Sequence, residues 1–380
     1  MAESPDSFVR VVFFNVQHGL CCLLSMPPAK SGQPRRYGVV DCNRSTFSCF
    51  VESYLRNPPF AGEPPLDGDP LRLEFVALTH FDKDHFRGIA HLLGDSGSPF
   101  CACRFIGPPC LPMSYMARHP IKQKSHRDEL RAIGQLAYAP SRRARRKGKA
   151  PELALFCQDV NYPWFADTKV IALAPLADDL LNKETAGGNA ISGAVMFRFS
   201  SGHVLLIGGD VDEDDWLEFA RKTERLAKND VTSNVVSVPH HAGAGNPVEI
   251  WTLFSRRRPL VTGERRTETR AVISCGKADR FPRMKNCATI AATDCKIYCT
   301  NACLESINNG GCFRIVNETP LKKALMPGVT PFMDKSPKTS RARKILSRFA
   351  ETQMDPLDGA IIIEFREKVI PKIDQYKVGD

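Results

Sequence analysis

The chain has 380 residues, of which 43% are hydrophobic and 25% are charged, and its formal net charge is +10. This length and composition suit an α/β protein with one large domain or two smaller ones. No apolar run reaches the ~18 residues of a membrane-spanning helix, and the first residues lack the pattern of a signal peptide. We therefore expect a cytoplasmic protein with no membrane partner, and the basic charge favours anionic partners, nucleic acid first among them.

Strands alternate with polar turns over the first 70 residues. Two apolar strands are predicted within Val9–Pro27, on either side of a polar turn at Asn15–Gly19. A short strand is predicted at Tyr37–Asn43 and ends near Asp41. Residues 44–55 are compatible with a helix, and the Pro- and Gly-rich stretch that follows predicts a surface loop.

The stretch from Leu73 to Gly94 carries the densest group of possible metal ligands. Alternating apolar residues predict a strand, followed by a polar loop and then by apolar residues at helical spacing. Imidazoles and carboxylates mixed at this density suit one divalent transition-metal ion, or two that share a carboxylate. A solvated acidic loop is the alternative, which the preceding apolar strand disfavours. The candidate ligands in this loop are His80, Asp82, Asp84 and His85.

A strongly basic run lies in the middle of the chain. Between residues 95 and 165, a strand is predicted to end at Ile106–Gly107, and Ser141–Lys149 later holds six cations in nine residues. The run is interpreted equally well as a solvated, mobile loop or as a surface that contacts phosphates without reading sequence. Its candidate nucleic-acid-binding residues are Arg142, Arg143, Arg145, Arg146, Lys147 and Lys149.

A strand and a hairpin come next. Lys169–Pro175 predicts a strand, and two apolar runs within Gly187–Gly209 predict a β-hairpin. Asn189 lies just before the hairpin and Asp210 just after it. The acidic residues that follow Asp210 predict the first turn of a helix, because negative charge is favourable at a helix N-terminus.

Two more strands are predicted to end in polar residues, and one more closes the domain. Val235–Gly245 predicts a strand followed by the pair His240 and His241, and Ala271–Arg280 predicts a strand and a loop. Gly359–Phe365 predicts a last strand. The 14 cysteines include a series from Cys287 to Cys312 but no C-x2-C pair, so we expect buried free thiols and not structural zinc.

Four motifs in order resemble those of the metallo-β-lactamase superfamily. The loop His80–His85 resembles its HxHxDH metal loop, and Asp82 at the third position is the form of the ComEC-like branch, named for the hydrolase domain of a bacterial DNA-uptake channel. Asn189–Ser192 resembles the family's N-x-x-S. Gly208–Asp210 resembles its LLLTGD, and Val238–Gly243 its VPHHGS.

Other segments match the family in outline. The turn that resembles its DVGQGD carries Asn15 and Leu20 where the family has acids, and His18 in this turn either approaches the site or is simply a turn histidine. The strand ending at Asp41 resembles the family's IDCG, which implies that this carboxylate supports a ligand. The segment Ala271–Arg280 resembles its VISVGxxN.

The resemblance covers roughly Val9 to Val316 and implies the superfamily's αββα sandwich, in which two mixed sheets pack face to face with helices outside. It implies a hydrolase domain at residues 1–316 with a basic insertion at about 112–165. It also implies a C-terminal extension at 317–380 that packs on the same domain. The loops at one edge of the sandwich would carry the site.

By the same resemblance, the site holds two divalent ions, zinc or manganese. The first two ligands of the loop would face one ion, the last two and a later histidine the other, and Asp210 would bridge both. Asp82 replaces an imidazole with a harder oxygen ligand, which moves preference towards manganese. The implied metal ligands are His80, Asp82, Asp84, His85, Asp210 and His241.

Catalytic roles are implied for several residues beyond metal binding. His240 would contact the leaving group, although either histidine of the pair remains possible as the ligand. Asn189 would orient a ligand, water or substrate, and Lys277 would meet an anionic substrate. Asp84 and Asp210 complete the candidate catalytic set.

The implied activity is that of a phosphodiesterase, with nuclease action on DNA favoured, in which hydroxide held between the two ions attacks the substrate. Hydrolysis of a small metabolite such as a phosphoester, a cyclic nucleotide or a lactone is the alternative, since the fold hosts many reactions. A catalytically silent scaffold is disfavoured, because the candidate ligand set is complete.

Overall fold

Two β-sheets pack face to face and carry helices on their outer sides. The computed structural model describes residues 8–16, 19–30, 33–43, 49–56, 58, 70–141, 150–157, 160–165, 168–175, 188–226, 231–243, 246–255, 269–274, 284–293, 295–300, 360–366 and 372–375. Over these residues the sheets have nine and seven strands. The predicted α/β sandwich is therefore confirmed.

The strands of the nine-stranded sheet come from both ends of the chain. They are β1 Val9–Phe13, β2 Cys21–Met26, β3 Arg36–Cys42, β4 Leu71–Ala77, β5 Phe100–Ala102, β6 Arg104–Gly107, β7 Glu152–Leu155, β15 Ile361–Phe365 and β16 Lys372–Gln375. Their order is β16-β15-β1-β2-β3-β4-β6-β7, with β5 paired to β4 beside β6. Strands β3, β4, β6 and β7 run parallel to one another, whereas β1 pairs antiparallel with β2 and β15.

The seven-stranded sheet is built from the middle of the chain. Its strands are β8 Asn161–Phe165, β9 Thr168–Ala174, β10 Ala194–Phe199, β11 Val204–Ile207, β12 Val235–Ser237, β13 Arg270–Ile273 and β14 Lys296–Cys299. Their order is β14-β13-β12-β11-β10-β9-β8. Strands β11 to β14 are parallel, and β10 pairs antiparallel with both β9 and β11, which confirms the predicted hairpin.

Helices cover the outer faces of both sheets. The helix after the hairpin starts with three acids in its first turn, as the sequence predicts. The helices are α1 Phe50–Arg56, α2 Lys83–Phe86, α3 Ile89–Leu92, α4 Pro112–Arg118, α5 Lys124–Ile133, α6 Glu213–Leu226, α7 Val248–Phe254 and α8 Met284–Ala292, with a π-helical turn at Gly134–Tyr138 after α5.

Alternating side chains divide the interior into three layers. In β11, Leu205 and Ile207 point between the sheets, whereas Val204 and Leu206 pack under the helices. Across the central layer, Phe75 of β4 stacks on Phe197 of β10 with ring centroids 5.8 Å apart. Because both faces of each sheet are buried, the strands read as nearly continuous apolar runs.

The C-terminal part of the chain contributes two strands at one end of the first sheet. Strand β15 lies between β1 and β16, so it is present as predicted but is not the last strand. Arg10 of β1 forms a buried ion pair with Glu364 of β15 at 3.0 Å. The predicted extension therefore supplies two strands to the same sheet, while residues 301–359 lie outside the described part of the chain.

The predicted insertion is folded over much of its length. Residues 112–138 form α4, α5 and the π-helical turn, and they pack on the outer side of the first sheet through Tyr115, Leu130 and Ile133. Its last residues form strand β7 in the first sheet and β8 in the second. The six cations of the basic run lie outside the described residues.

The cysteines that the structure describes are free thiols. Cys287 lies on α8 and is buried with Cys295 and with Cys299 of β14. Strand β14 lies within the series, and no described cysteine belongs to a group able to hold a metal ion. Cys303 and Cys312 lie outside the described residues.

Candidate metal centre

Strand ends from both sheets bring the candidate ligands together. The loop after β4 carries His80 to His85, the turn after β11 carries Asp210, and the turn after β12 carries His240 and His241. Because β3 and β4 are parallel, as are β11 and β12, their carboxyl ends meet at one edge of each sheet. The two edges face each other across the sandwich, so loops from both sheets form one cluster.

Asp210 lies at the centre of this cluster. Its Oδ1 is 3.4 Å from His85 Nε2 and 3.7 Å from His241 Nε2. Its Oδ2 is 3.7 Å from His80 Nε2 and 3.9 Å from His240 Nε2. Each oxygen of this one buried carboxylate therefore faces two imidazoles.

A second carboxylate faces one side of the cluster. Asp84 Oδ2 lies 3.7 Å from His241 Nε2 and 3.9 Å from His85 Nε2. The donor atoms form two sets, in each of which they lie within 4.8 Å of one another. The sets are His80, His85 and Asp210, and Asp84, His85 and His241.

Hydrogen bonds to Asp41 and Thr79 determine which ring nitrogens face the cluster. Asp41 accepts hydrogen bonds from the Thr79 hydroxyl (2.8 Å) and from His85 Nδ1 (2.8 Å). The Thr79 oxygen, having donated its own proton, accepts from His80 Nδ1 at 3.0 Å. In their neutral form both histidines thus carry the proton on Nδ1, which leaves the Nε2 lone pairs free to bind a cation beside Asp210.

Contacts with Ser192 and Gly193 hold the turn that carries Asp210. The backbone N–H of Asp210 donates to Ser192 Oγ at 2.9 Å. Gly209 has φ +55° and lies so close to the chain at Gly193 that a Cβ there would be 2.3 Å from the Gly193 carbonyl oxygen. Ser192 is the last residue of the N-x-x-S motif, so this motif positions the backbone of Asp210.

The histidine pair occupies a strained backbone. His240, His241 and Ala242 have φ of 49°, 51° and 59°, a conformation that costs a side-chain-bearing residue roughly 1–2 kcal/mol. Asn246 donates to the Pro239 carbonyl at 3.0 Å, and Asn286 donates to the carbonyls of Ala242 and Gly243. These bonds hold the turn in a geometry that presents both histidines to Asp210.

Gly19 fits closely against the metal loop. Its φ is +96°, and a Cβ there would lie 1.9 Å from the carbonyl oxygen of Asp84. That carbonyl accepts a hydrogen bond from Leu20 N at 3.2 Å, and the Gly19 carbonyl accepts one from Ser274 Oγ at 2.5 Å. The turn between β1 and β2 therefore supports Asp84 through backbone contacts.

The electrostatics of the cluster favour positive charge at its centre. Burial by itself lowers the pKa of His85, but the carboxylates of Asp210 and Asp41 outweigh it and hold this pKa well above its ordinary value. Burial alone would raise the pKa of Asp210, yet the imidazoles of His85, His241 and His80 hold it well below its ordinary value. A field that favours a protonated imidazole also favours a bound cation.

These residues fit divalent metal ions. His80 Nε2 and Asp210 Oδ1 are buried and have no hydrogen-bond partner among the described residues, which is costly unless another ligand satisfies them. Imidazole nitrogens and carboxylate oxygens are the ligands of zinc and manganese sites. The donor atoms lie 3.4–3.9 Å apart. This spacing suits ligands that share one ion, because each metal–ligand bond is ~2.0–2.2 Å long.

The remaining predicted residues lie at the rim or outside the described chain. Asp82 has a side chain that is 41% exposed, and its Oδ2 is 3.8 Å from His80 Nε2. Asn189 is half-buried, and no hydrogen bond joins its side chain to another described residue, although its carbonyl accepts from Ser192 N. His18 and Lys277 lie outside the described residues.

Three residues that contact the site were not predicted from the sequence. Thr79 orients His80 and His85, and its position between an apolar strand and the first histidine was the available clue. Ser274 follows β13 and contacts Gly19. Tyr115 of α4 donates its hydroxyl to Asp82 Oδ1 at 2.9 Å, a contact between residues 33 apart that no local pattern indicates.

The fold and the edge cluster define an α/β sandwich with a candidate metal centre. No family model matches the chain, and no curated protein matches it. Zn²⁺-bound PqqB from Methylobacterium extorquens is similar in structure, with 11% identity, a TM-score of 0.38, and coverage of 76% of this chain and 97% of PqqB.

Two other solved structures are similar at the same level. A metallo-β-lactamase with a HARLDQ motif from Cronobacter sakazakii has 14% identity, a TM-score of 0.33, and coverage of 62% of this chain and 78% of its own. A long-form RNase Z from yeast has 9% identity and a TM-score of 0.40, and the match covers 98% of this chain and 50% of the RNase Z.

No helix in the described part of the chain combines the length and apolar character needed to cross a membrane.

Proposed function

We propose that this chain is a metal-dependent hydrolase of phosphodiesters that uses two divalent ions. The observation that carries the proposal is the position of Asp210, whose two oxygens face separate pairs of imidazoles. A carboxylate with this arrangement suits a bridge between two ions, because each oxygen has its own set of neighbours. The assignment to the ComEC-like branch is a prediction that rests on the sequence motifs.

The proposed ligands divide into two sets that share Asp210. His80 and Asp82 would hold the first ion, and Asp84, His85 and His241 the second. His241 is preferred over His240 because its Nε2 also lies 3.7 Å from Asp84. When bound, the two ions would supply an acidified water and neutralise charge on a phosphoryl oxygen.

The chain's own residues would prepare the site and handle protons. Asp41 and Thr79 keep the Nδ1 protons of His85 and His80 away from the centre, so both Nε2 lone pairs stay free to bind. His240 has an 18% exposed side chain at the mouth of the cluster. From this position His240 would donate a proton to the leaving oxygen.

Charge supports a polyanionic substrate, and nucleic acid is favoured. The formal net charge is +10 and six cations fall in the run from 141 to 149. Near the metal loop, Lys83 and Arg87 lie beside His126 of α5, whose pKa is lowered by burial and then by these two cations. Cations on the approach to a cluster of buried acids would attract phosphates that the acids alone would repel.

Hydrolysis of a small metabolite is the second candidate. The observation that favours it is the contact between Tyr115 of the insertion and Asp82, because it places helix α4 at the rim of the site. A helix over the rim would narrow the entrance to the site, which suits a small substrate held in an enclosed pocket. A long polymer needs an open groove instead, so the two candidates differ in how they depend on the insertion.

Replacing all six cations of the basic run by Gln separates these candidates. If the substrate is a nucleic acid, binding of long single- or double-stranded DNA should weaken. Its salt dependence should also fall, by roughly one unit of slope for each phosphate that the run no longer neutralises. Hydrolysis of a small model diester should change little. Both substrates would be measured with manganese at two salt concentrations.

The matched control replaces exposed cations away from the site, Lys30 and Lys169 of β9, by Gln. These changes should leave both substrates unaffected. Unchanged DNA binding in the six-cation variant would contradict the nuclease role of the run. Loss of both activities would instead favour an insertion that covers the pocket, and therefore the metabolite. Absence of hydrolysis of any diester by the wild-type protein with each metal would overturn the proposed function.

A further inference from the structure

Asp82 differs from the other members of the cluster in its exposure. Its side chain is 41% exposed, whereas those of His80, His85, Asp84 and Asp210 are exposed by 12% or less. Its backbone is extended, and its carboxylate does not cap helix α2, which starts at the next residue. A short side chain at a solvent-facing position would lose rotamer freedom on binding an ion, so it binds best when something else has already fixed it.

Tyr115 provides that constraint from outside the metal loop. Its hydroxyl donates to Asp82 Oδ1 at 2.9 Å, which leaves Oδ2 on the side of His80, 3.8 Å from its Nε2. The tyrosine is itself well fixed. It is buried on α4, and its ring centroid lies 5.3 Å from that of Phe81.

We infer that Tyr115 is a positioning residue that fixes Asp82 as a one-oxygen metal ligand, so that a helix of the insertion sets the affinity of one metal position. The inference rests on the proposed function, since it requires that Asp82 bind metal. The phenol is the donor in this pair, because the carboxylate of Asp82 offers only lone pairs. With one lone pair of Oδ1 occupied by the hydroxyl, binding of an ion through Oδ2 alone is favoured.

A packing role is the competing account of Tyr115. Its ring is part of the apolar layer between the first sheet and the insertion helices. Removal of the hydroxyl alone distinguishes the two accounts, because Phe retains the ring. The chain also offers a matched control in Tyr138, whose hydroxyl donates to the Pro108 carbonyl at 2.8 Å and whose ring lies 6.3 Å from Phe81.

The experiment compares full-length wild type, Tyr115→Phe and Tyr138→Phe by calorimetric titration with MnCl2, with free manganese counted by electron paramagnetic resonance. Tyr115→Phe should weaken one manganese position by about 10- to 100-fold, the usual effect of losing a group that orients a ligand, and leave the other unchanged. Its diester hydrolysis should be low at limiting manganese and restored by excess. Tyr138→Phe should bind manganese as the wild type does.

Other results would separate the positioning role of Tyr115 from the proposed hydrolase function. Wild-type manganese binding in Tyr115→Phe, or equal weakening in both variants, would overturn the positioning role and leave the proposed function intact. Activity lost in Tyr115→Phe but not rescued by manganese would also overturn it, because a packing defect is not repaired by metal. If the wild type binds manganese in the expected pattern but hydrolyses no diester, the positioning role stands and the proposed function fails.

Discussion

Asp210→Asn is expected to lower kcat/KM for any diester substrate by at least ~10³-fold and to deplete bound metal. The amide keeps the size of the carboxylate, so the fold should survive. It carries no charge, however, and its nitrogen cannot bind a metal ion. The variant would therefore lose one of the two carboxylate oxygens that Asp210 presents to the histidines.

The measurements for this variant are metal content after dialysis, circular dichroism and diester turnover. Asp214→Asn is the matched control, because it makes the same change at an exposed acid in the first turn of α6, four residues away. The control should keep both metal and activity. Near-normal turnover with full metal content in Asp210→Asn would show that this carboxylate is no bridge. Asp84→Ala and His85→Ala should be comparably severe.

Gly19→Ala is expected to damage the site from a position that supplies no proposed ligand. The new Cβ would lie 1.9 Å from the Asp84 carbonyl oxygen, so either the turn or the metal loop must move. A displacement of about 1 Å at a reacting centre costs on the order of 10²-fold in rate. We therefore expect at least that loss in kcat/KM, together with weaker binding of the metal that Asp84 would hold.

Gly97→Ala separates this clash from backbone strain. Gly97 also has a left-handed φ, +84°, but a Cβ there would meet nothing within 4 Å. Both variants should therefore lose roughly 1–2 kcal/mol of stability from strain, measured by urea unfolding, and only Gly19→Ala should lose metal and activity. Equal activity in the two variants would show that the turn between β1 and β2 does not support Asp84.

The parts of the site that the sequence predicted share one property, which is that each candidate ligand directly follows an apolar strand. The strand before His80, the hairpin before Asp210 and the strand before the histidine pair are all present. Parallel strands in one sheet end at the same edge, which explains why Asp210 and the histidine pair lie together. His80 follows a strand of the other sheet, so its approach depends on how the two sheets pack.

The contacts that complete the site depend on tertiary packing and have no local signature. Tyr115 reaches Asp82 only because α4 packs over the loop, and helical periodicity marks it merely as an apolar position. Thr79 acts through the direction of a single hydroxyl proton, which residue type alone does not reveal. The left-handed conformation of His240 and His241 is equally invisible, because residues other than Gly rarely adopt it.

The two-ion claim is tested most directly by counting the metal ions that the purified wild-type chain binds. After removal of metal and equilibration with manganese, the expected result is about two ions per chain. Magnesium should bind more weakly, because three imidazoles among the ligands suit that ion poorly. A single ion per chain, no bound ion, or tighter binding of magnesium than of manganese would contradict the two-ion claim.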